Sequence, residues 1–241
     1  MDFKTCKAVI FDMDGTILDT SEDLASAINY AMEQCGHRHD FTREHARLFF
    51  GSGVKVALKR ALAYEKGYSK EQILTIGVPD GLQLDEADEA LAEKLMSYYL
   101  PFYSAHNADN TGPYGGICEA LLCLKNAGLR LAVVSNKPHS SVAALAEKYF
   151  CGLFETAIGE QDGIARKPAA DMNMLALKEM GLKPEDAVYV GDTEIDLKTA
   201  MNSYMECVAV DWGFRGADAL RALGAPIIIH RPDELIEIFA K

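Results

Sequence analysis

The side chains best suited to chemistry follow the first apolar run of the chain. Asp12, Asp14 and Thr16 come directly after the run 8–11, with Gly15 between the last two. Four consecutive apolar residues predict a strand that is buried on both faces of a sheet, and open α/β sheets bind ligands at the carboxyl ends of such strands. Taken alone, the same residues are equally typical of a polar turn. If the rest of the chain supplies partners, Asp12 becomes a candidate nucleophile.

Three further polar clusters stand at or just beyond the ends of predicted strands. They are Ser135-Asn136, Lys167-Pro168, and Gly191-Asp192 followed by Asp196. Each cluster alone has a plain explanation as a helix cap, a loop lysine or a turn. Together they would bring a carboxylate nucleophile, a hydroxyl, a cation and a metal-binding carboxylate to one sheet edge, which coincidence explains poorly.

Alternating strands and helices would position these clusters. After the turn-rich segment 107–116, the pattern predicts helices at 117–126, 139–149, 171–180 and up to about 202, and strands at 129–134, 156–159, 187–190, 207–210 and 226–229. This alternation is typical of βαβ units and a parallel sheet. The predicted fold class is therefore α/β, with a Rossmann-like parallel sheet core that carries helices on both faces.

The segment between residues 20 and 100 reads as helix throughout. Helices are predicted from Thr20 to near Gly36, at 42–50, from Val54 onward, after Ser69 and at 85–99. Thr20-x-x-Asp23 and Ser69-x-x-Gln72 both have the spacing of a capping box. We therefore predict an inserted all-helical domain at 18–106 and a core domain with the sheet and the polar clusters at 1–17 and 107–241; the resemblance described below implies that they are a cap and a catalytic core.

Composition restricts the possible partners and compartment. The net charge of −12 argues against a nucleic-acid partner, because the phosphate backbone would be repelled. The six cysteines form no Cys-x-x-Cys pair, so we expect reduced thiols. Without an apolar targeting segment or a membrane-length run, the expected location is the cytoplasm. No pattern predicts a particular oligomeric state.

Read in order, the clusters resemble the motifs of the haloacid dehalogenase-like (HAD) hydrolase superfamily, on the branch with a helical cap. The similarity covers the whole chain and is greatest to the phosphoglycolate phosphatases. The matching segments are Asp12-Met13-Asp14-Gly15-Thr16, Ser135-Asn136-Lys137-Pro138, Arg166-Lys167-Pro168, Gly191-Asp192-Thr193-Glu194-Ile195-Asp196 and Asp211-Trp212-Gly213-Phe214-Arg215.

The resemblance implies a magnesium site. Its ligands would be a carboxylate oxygen of Asp12, the backbone carbonyl of Asp14 and the carboxylate of Asp192. Mg²⁺ prefers such hard oxygen ligands and would keep the carboxylates charged beside an incoming phosphate. Asp196 lies four residues after Asp192, so it could hold a metal-bound water or support Lys167.

The expected reaction is hydrolysis of a small phosphomonoester, with phosphoglycolate as the best single substrate. Asp12 would accept the phosphoryl group, and Asp14 would protonate the leaving alkoxide and later activate water. Ser135 and Lys167 would serve catalysis by binding the phosphoryl oxygens. Dehalogenases of this superfamily lack the second aspartate, so Asp14 disfavours that reaction.

The substrate-binding set contains Ser135, Asn136, Lys167, Thr16 and Lys55. Lys55 follows Gly51-Ser52-Gly53, which resembles the substrate-selecting loop of capped relatives, although the glycines could simply separate two helices. A phosphomutase or pyrophosphatase on the same core remains an alternative. A non-catalytic phosphorylation receiver is disfavoured, because receivers lack both an acid like Asp14 and a large cap.

Overall fold

Ala8–Phe11 forms a central strand of a six-stranded sheet in the computed structural model, which describes residues 3–78 and 80–240. The strand order is β5-β4-β1-β6-β7-β8, and all neighbouring strands are parallel. The strands are β1 Ala8–Phe11, β4 Arg130–Pro138, β5 Thr156–Glu160, β6 Ala187–Gly191, β7 Glu206–Val210 and β8 Ile228–Ile229. A separate antiparallel pair joins β2 Leu18–Asp19 to β3 Gly112–Pro113.

The sheet is buried on both faces, as the continuous apolar run of β1 predicts. Successive residues of a strand point to opposite faces, and Ile10 and Phe11 are both fully buried. On one face, Met172 and Ala200 from two helices pack with Ile10 and Tyr189 in a single core cluster. This layering confirms the predicted α/β fold class with a parallel sheet.

The helices after β3 are α6 Ile117–Asn126, α7 His139–Phe150, α8 Asp171–Glu179, α9 Glu194–Asn202, α10 Ala217–Ala222 and α11 Asp233–Phe239. Gly128 follows α6 with a φ of +91°. That left-handed conformation is the usual use of glycine after a helix end, and the sequence predicted the stop there. The short helices α10 and α11 were not predicted.

Residues Thr20–Thr111 form a second compact unit, and the sheet unit contains the chain up to Asp19 and from Gly112 on. The helices of the Thr20–Thr111 unit are α1 Ser21–Gln34, α2 Arg43–Phe49, α3 Val54–Glu65, α4 Lys70–Thr75 and α5 Glu86–His106. These boundaries differ by a few residues from the predicted 18–106. Residues 1–2 and 241 of the predicted core domain lie outside the described ranges.

The two predicted capping boxes have different outcomes. At α4 both hydrogen bonds form: Gln72 N donates to Ser69 Oγ, and Ser69 N donates to Gln72 Oε1. At α1 the helix starts where predicted, but the capping box is wrong, because Thr20 makes no capping hydrogen bond with its side chain. Asp23 instead accepts hydrogen bonds from backbone and side-chain donors of Asn110 and Thr111. Those donors come from a distant part of the chain, so local spacing could not reveal them.

Two predicted ends were also wrong. Helix α5 continues past Tyr99 to His106 and contains Pro101, which is exposed. Tyr103 is buried and extends the buried face of the helix beyond Tyr99. Strand β4 continues past Val134 to Pro138, with an irregularity in its pairing to β5 between those two residues. The polar motif that begins at Ser135 therefore lies within the strand rather than beyond it.

Two predictions from composition concern residues that the structure describes. The six cysteines are free thiols, as expected. Among the described helices, none has a stretch long and apolar enough to cross a membrane.

Candidate active site

Lys167 is the centre of the polar cluster at the carboxyl edge of the sheet. Its Nζ lies 2.8 Å from Asp12 Oδ1 and 2.9 Å from Asp196 Oδ1, and it donates a hydrogen bond to Tyr189 Oη at 3.0 Å. Tyr189 in turn donates to Asp196 Oδ1 at 3.1 Å. Lys167 is only 4% exposed, so its ammonium interacts with these groups with little screening by water.

Asp196 is held by the start of helix α9. Its Oδ2 accepts hydrogen bonds from the backbone N–H groups of Asp192 and Thr193, at 3.2 and 3.0 Å, and from Thr193 Oγ1 at 2.7 Å. Its Oδ1 contacts Lys167 and Tyr189. Both oxygens are thus engaged by protein donors, and the carboxylate fixes the position of the Lys167 ammonium.

Asp192 is fully buried at the end of β6. Thr16 Oγ1 donates to its Oδ1 at 3.0 Å, and the backbone N–H of Phe214 donates to its Oδ2 at 2.7 Å. Gly15 and Gly213 approach so closely that a Cβ at either would lie 2.2 or 2.3 Å from Asp192 Oδ2. These two positions accept only glycine, because any larger residue would displace the carboxylate.

Negative charge exceeds positive charge in this cluster. Burial, reinforced by the charge of Asp196, raises the pKa of Asp12 well above its ordinary value and that of Asp192 to about 8. Burial lowers the pKa of Lys167, but the charges of Asp12 and Asp196 outweigh it and raise that pKa. Additional positive charge would therefore be needed to keep Asp12 and Asp192 ionised together.

The donor set fits a hard divalent cation. Asp12, Asp192 and Asp196 each have a carboxylate oxygen, and these oxygens all lie within 4.8 Å of one another, but both oxygens of Asp196 already accept hydrogen bonds from protein donors. The donors to Asp12 both use Oδ1, since Met13 N–H and Lys167 Nζ contact that oxygen. Carboxylate oxygens are hard ligands of the kind that bind divalent cations such as Mg²⁺, which usually keep several waters.

Asp14 lies on the other side of the motif, beside Ser135 and Lys137. Lys137 Nζ is 2.9 Å from Asp14 Oδ1, and Ser135 Oγ donates a long hydrogen bond of 3.4 Å to Asp14 Oδ2. Ser135 Oγ also accepts the backbone N–H of Lys137 at 3.3 Å. A hydroxyl, a carboxylate and a second cation are therefore adjacent here.

Three of the predicted substrate-binding residues make other contacts. Both polar atoms of the Asn136 side chain bond to the backbone of Lys167, and the Thr16 hydroxyl donates to Asp192. Lys55 belongs to the helical unit, where its ammonium pairs with Glu93 and lies 3.8 Å from Glu89. In this structure, Asn136 and Thr16 position other side chains of the site.

Reasoning from the sequence assigned no role to Lys137 or Tyr189, although each has a property that could have indicated one. Lys137 stands in the polar motif directly after an apolar run, and its side chain is buried in the structure. A buried lysine needs a charged partner. Tyr189 is fully buried in β6 and carries a hydroxyl that must find a hydrogen bond. Asp14, the partner of Lys137, is distant in the chain, so that contact depends on strand register. Asp196 follows Tyr189 by seven residues, across the turn between β6 and α9.

Comparisons with known proteins identify the family of this chain. Residues 9–210 match the family described as haloacid dehalogenase-like hydrolase. The phosphoglycolate phosphatase of Pseudomonas syringae pv. tomato is 30% identical, over 97% of this chain and 77% of its own. That of Escherichia coli is 29% identical, over 95% of this chain and 90% of its own.

A solved structure from Lactobacillus delbrueckii subsp. bulgaricus, provisionally named phosphoglycolate phosphatase, is 47% identical, with a TM-score of 0.93 and coverage of 100% of both chains. The chain belongs to the haloacid dehalogenase-like hydrolase family and resembles the phosphoglycolate phosphatases within it.

Proposed function

We propose that this phosphoric monoester hydrolase is a Mg²⁺-dependent phosphatase that forms an aspartyl-phosphate on Asp12. The observation that carries the proposal is the contact of 2.8 Å between Lys167 Nζ and Asp12 Oδ1 beside the buried Asp192. A carboxylate held against a buried cation is oriented for attack, and the same cation offsets the charge of a phosphate.

In the first step, an Asp12 oxygen forms a bond to phosphorus as the bond to the leaving alcohol breaks. Asp14 donates a proton to the departing oxygen, which becomes the free alcohol. In the second step, Asp14 accepts a proton from water while the water oxygen attacks phosphorus. The bond between Asp12 and phosphorus then breaks, which releases inorganic phosphate and restores the carboxylate.

The protein groups around phosphorus stabilise the transferring oxygens. Lys167 offsets negative charge beside Asp12, and Ser135 offers its hydroxyl near Asp14. Asp12, Asp192 and the backbone carbonyl of Asp14 would hold Mg²⁺, which neutralises the charge that builds up on the phosphoryl oxygens. Asp196 keeps the Lys167 ammonium in place, and Thr16 restrains Asp192.

The substrate we propose is a small phosphorylated metabolite, with phosphoglycolate first. This choice rests on the relatives that carry that name, at 29–30% identity. The role of the helical unit as a substrate-selecting cap, with Lys55 binding a substrate carboxylate, rests on the family resemblance. That role requires the Lys55 ammonium to exchange its pairing with Glu93 for the ligand.

A screen of phosphorylated metabolites, scored by phosphate release with Mg²⁺ and with excess chelator, tests the proposal. We expect phosphoglycolate to have the highest kcat/KM and the chelator to stop the reaction. Undiminished turnover in chelator would contradict the metal requirement. Conversion of a sugar phosphate into its isomer without phosphate release would contradict the hydrolase and favour a mutase.

A further inference from the structure

A short loop after β7, residues 211–215, contacts both the segment 12–16 and the segment 191–196. The Trp212 Nε1–H donates to the carbonyl of Thr16 at 3.0 Å, and the Phe214 N–H donates to Asp192 Oδ2 at 2.7 Å. Between them, a Cβ on Gly213 would lie 2.3 Å from both Asp192 Oδ2 and the carbonyl oxygen of Gly15. The loop backbone is thus packed directly on Asp192 and restrains the rotation of its carboxylate.

The end of this loop is fixed by an ion pair with helix α9. Arg215 Nε and Nη2 donate to the two carboxylate oxygens of Glu194 at 2.9 and 3.0 Å. Arg215 is 5% exposed, and its side chain and that of Glu194 are 6% and 14% exposed. A two-pronged pair at such burial holds its geometry far better than an exposed pair, which contributes little.

Glu194 is the first residue of α9, the helix that also carries Asp196. The pair therefore connects the loop that restrains Asp192 to the helix that holds the Lys167 ammonium in position. Arg215 follows Phe214 directly in the chain, so its anchored side chain restrains the backbone that donates to Asp192. No contact of Arg215 with the reacting groups is required for this effect.

We propose that Arg215 is a positioning residue for metal binding, because its pair with Glu194 fixes the orientation of Asp192. The inference rests on the proposed metal at Asp12 and Asp192, but it does not depend on the identity of the substrate. Loss of groups that orient a metal ligand typically weakens metal binding by about 10–100-fold. The shape of the guanidinium matters as well as its charge, since lysine cannot form the two parallel hydrogen bonds.

The test is the dissociation constant of Mg²⁺ for the full chain, measured by calorimetry without substrate. We expect Arg215→Met and Arg215→Lys to raise it by about 10–100-fold, and Glu194→Gln to raise it by a smaller factor. Arg130→Met is the control for loss of a two-pronged arginine pair away from the site: Arg130 pairs with Glu155 at the start of β4, where the two side chains are more exposed, at 37% and 44%. That control should leave the Mg²⁺ affinity unchanged.

Activity at high Mg²⁺ gives a second readout. If Arg215 acts through the metal site, saturating Mg²⁺ should restore most of the kcat of Arg215→Lys, whereas a general folding defect would not be rescued. Unchanged Mg²⁺ affinity in folded Arg215→Lys and Glu194→Gln would overturn the proposal. If Arg215→Met fails to fold, the Mg²⁺ affinities of Arg215→Lys and Glu194→Gln test the proposal without it. A wild-type chain that binds Mg²⁺ but releases no phosphate would refute the proposed function and leave this test valid.

Discussion

Asn136 and Lys167 are joined by two hydrogen bonds that run in opposite directions. Lys167 N–H donates to Asn136 Oδ1 at 2.8 Å, and Asn136 Nδ2 donates to the Lys167 carbonyl at 3.0 Å. The side-chain amide therefore fixes the peptide that carries the central cation of the site. Because the ammonium of Lys167 lies 2.8 Å from Asp12 Oδ1, small movements of this peptide change the environment of the proposed nucleophile.

Asn136→Ala should consequently lower kcat more than it changes KM. A misplacement of a catalytic group by about 1 Å can cost on the order of 10²-fold in rate, and we expect a loss of that order. Asn202→Ala is the control, since Asn202 Nδ2 donates to the next carbonyl, that of Pro168, at 2.7 Å from an exposed position. Steady-state kinetics of the two variants provide the comparison. Equal losses of kcat in Asn136→Ala and Asn202→Ala would show that Asn136 has no special role.

Gly213→Ala should disable the site, whereas Gly216→Ala in the same stretch should be tolerated. The added Cβ at 213 would meet a carboxylate oxygen and a backbone carbonyl at 2.3 Å, while none of the described atoms lies within 4 Å at 216. We expect Gly213→Ala to reduce activity by about 10²-fold or more, with weakened Mg²⁺ binding. Calorimetry and circular dichroism of both variants provide the check. A fully active Gly213→Ala enzyme would show that the loop can move away from Asp192 without effect.

The strands and the polar clusters at their ends were predictable for a physical reason. Strands such as β1 and β6 are buried on both faces, so they appear as uninterrupted apolar runs, and the first polar residue marks the end that holds the site. The two-residue strands β2 and β3 are too short to give such a pattern. Short helices such as α10 likewise carry too few residues for a reliable period.

The side-chain partners inside the site were less predictable, because they depend on tertiary packing. Asn136 and Lys167 are separated by 31 positions, and their pairing appears only when the loop before α8 folds against β4. The same holds for Lys137, whose partner Asp14 lies on a neighbouring part of the sheet edge. Residue type indicated that these groups need partners, but the sequence did not indicate which ones.

Lys137→Met should slow hydrolysis of alkyl phosphates by about tenfold to a hundredfold, because the ammonium that orients the proposed acid is lost. Its Nζ lies 2.9 Å from Asp14 Oδ1, and the two side chains are 7% and 18% exposed. Lys7→Met removes a lysine–aspartate pair of similar length outside the site: Lys7 Nζ lies 2.8 Å from Asp186 next to the amino end of β1, and its side chain is 62% exposed, so the change should be nearly neutral. The rates of alkyl phosphate hydrolysis by Lys137→Met and Lys7→Met provide the comparison. Equal activity in both would mean that the ammonium of Lys137 is dispensable.

Asp14→Asn should affect two classes of substrate differently. An alkyl phosphate expels a basic alkoxide that needs a proton, whereas p-nitrophenyl phosphate leaves as a stable anion. Loss of general acid–base catalysis lowers a rate by about 10²–10⁴-fold. This loss should slow the phosphorylation of the enzyme only with the alkyl substrate. With the aryl substrate, the variant should give a burst of nitrophenol near one per active site, followed by a slow phase. Equal losses without a burst would show that Asp14 is not the acid and base.

The most direct test asks whether Asp12 carries the phosphoryl group during turnover. Rapid acid quenching of the enzyme with its substrate, followed by borohydride reduction and peptide mass spectrometry, measures this directly. Reduction converts an aspartyl-phosphate into homoserine, so we expect homoserine at position 12, more of it in Asp14→Asn, and none in Asp12→Asn. Homoserine at another aspartate, or active enzyme with none at position 12, would show that Asp12 is not the nucleophile.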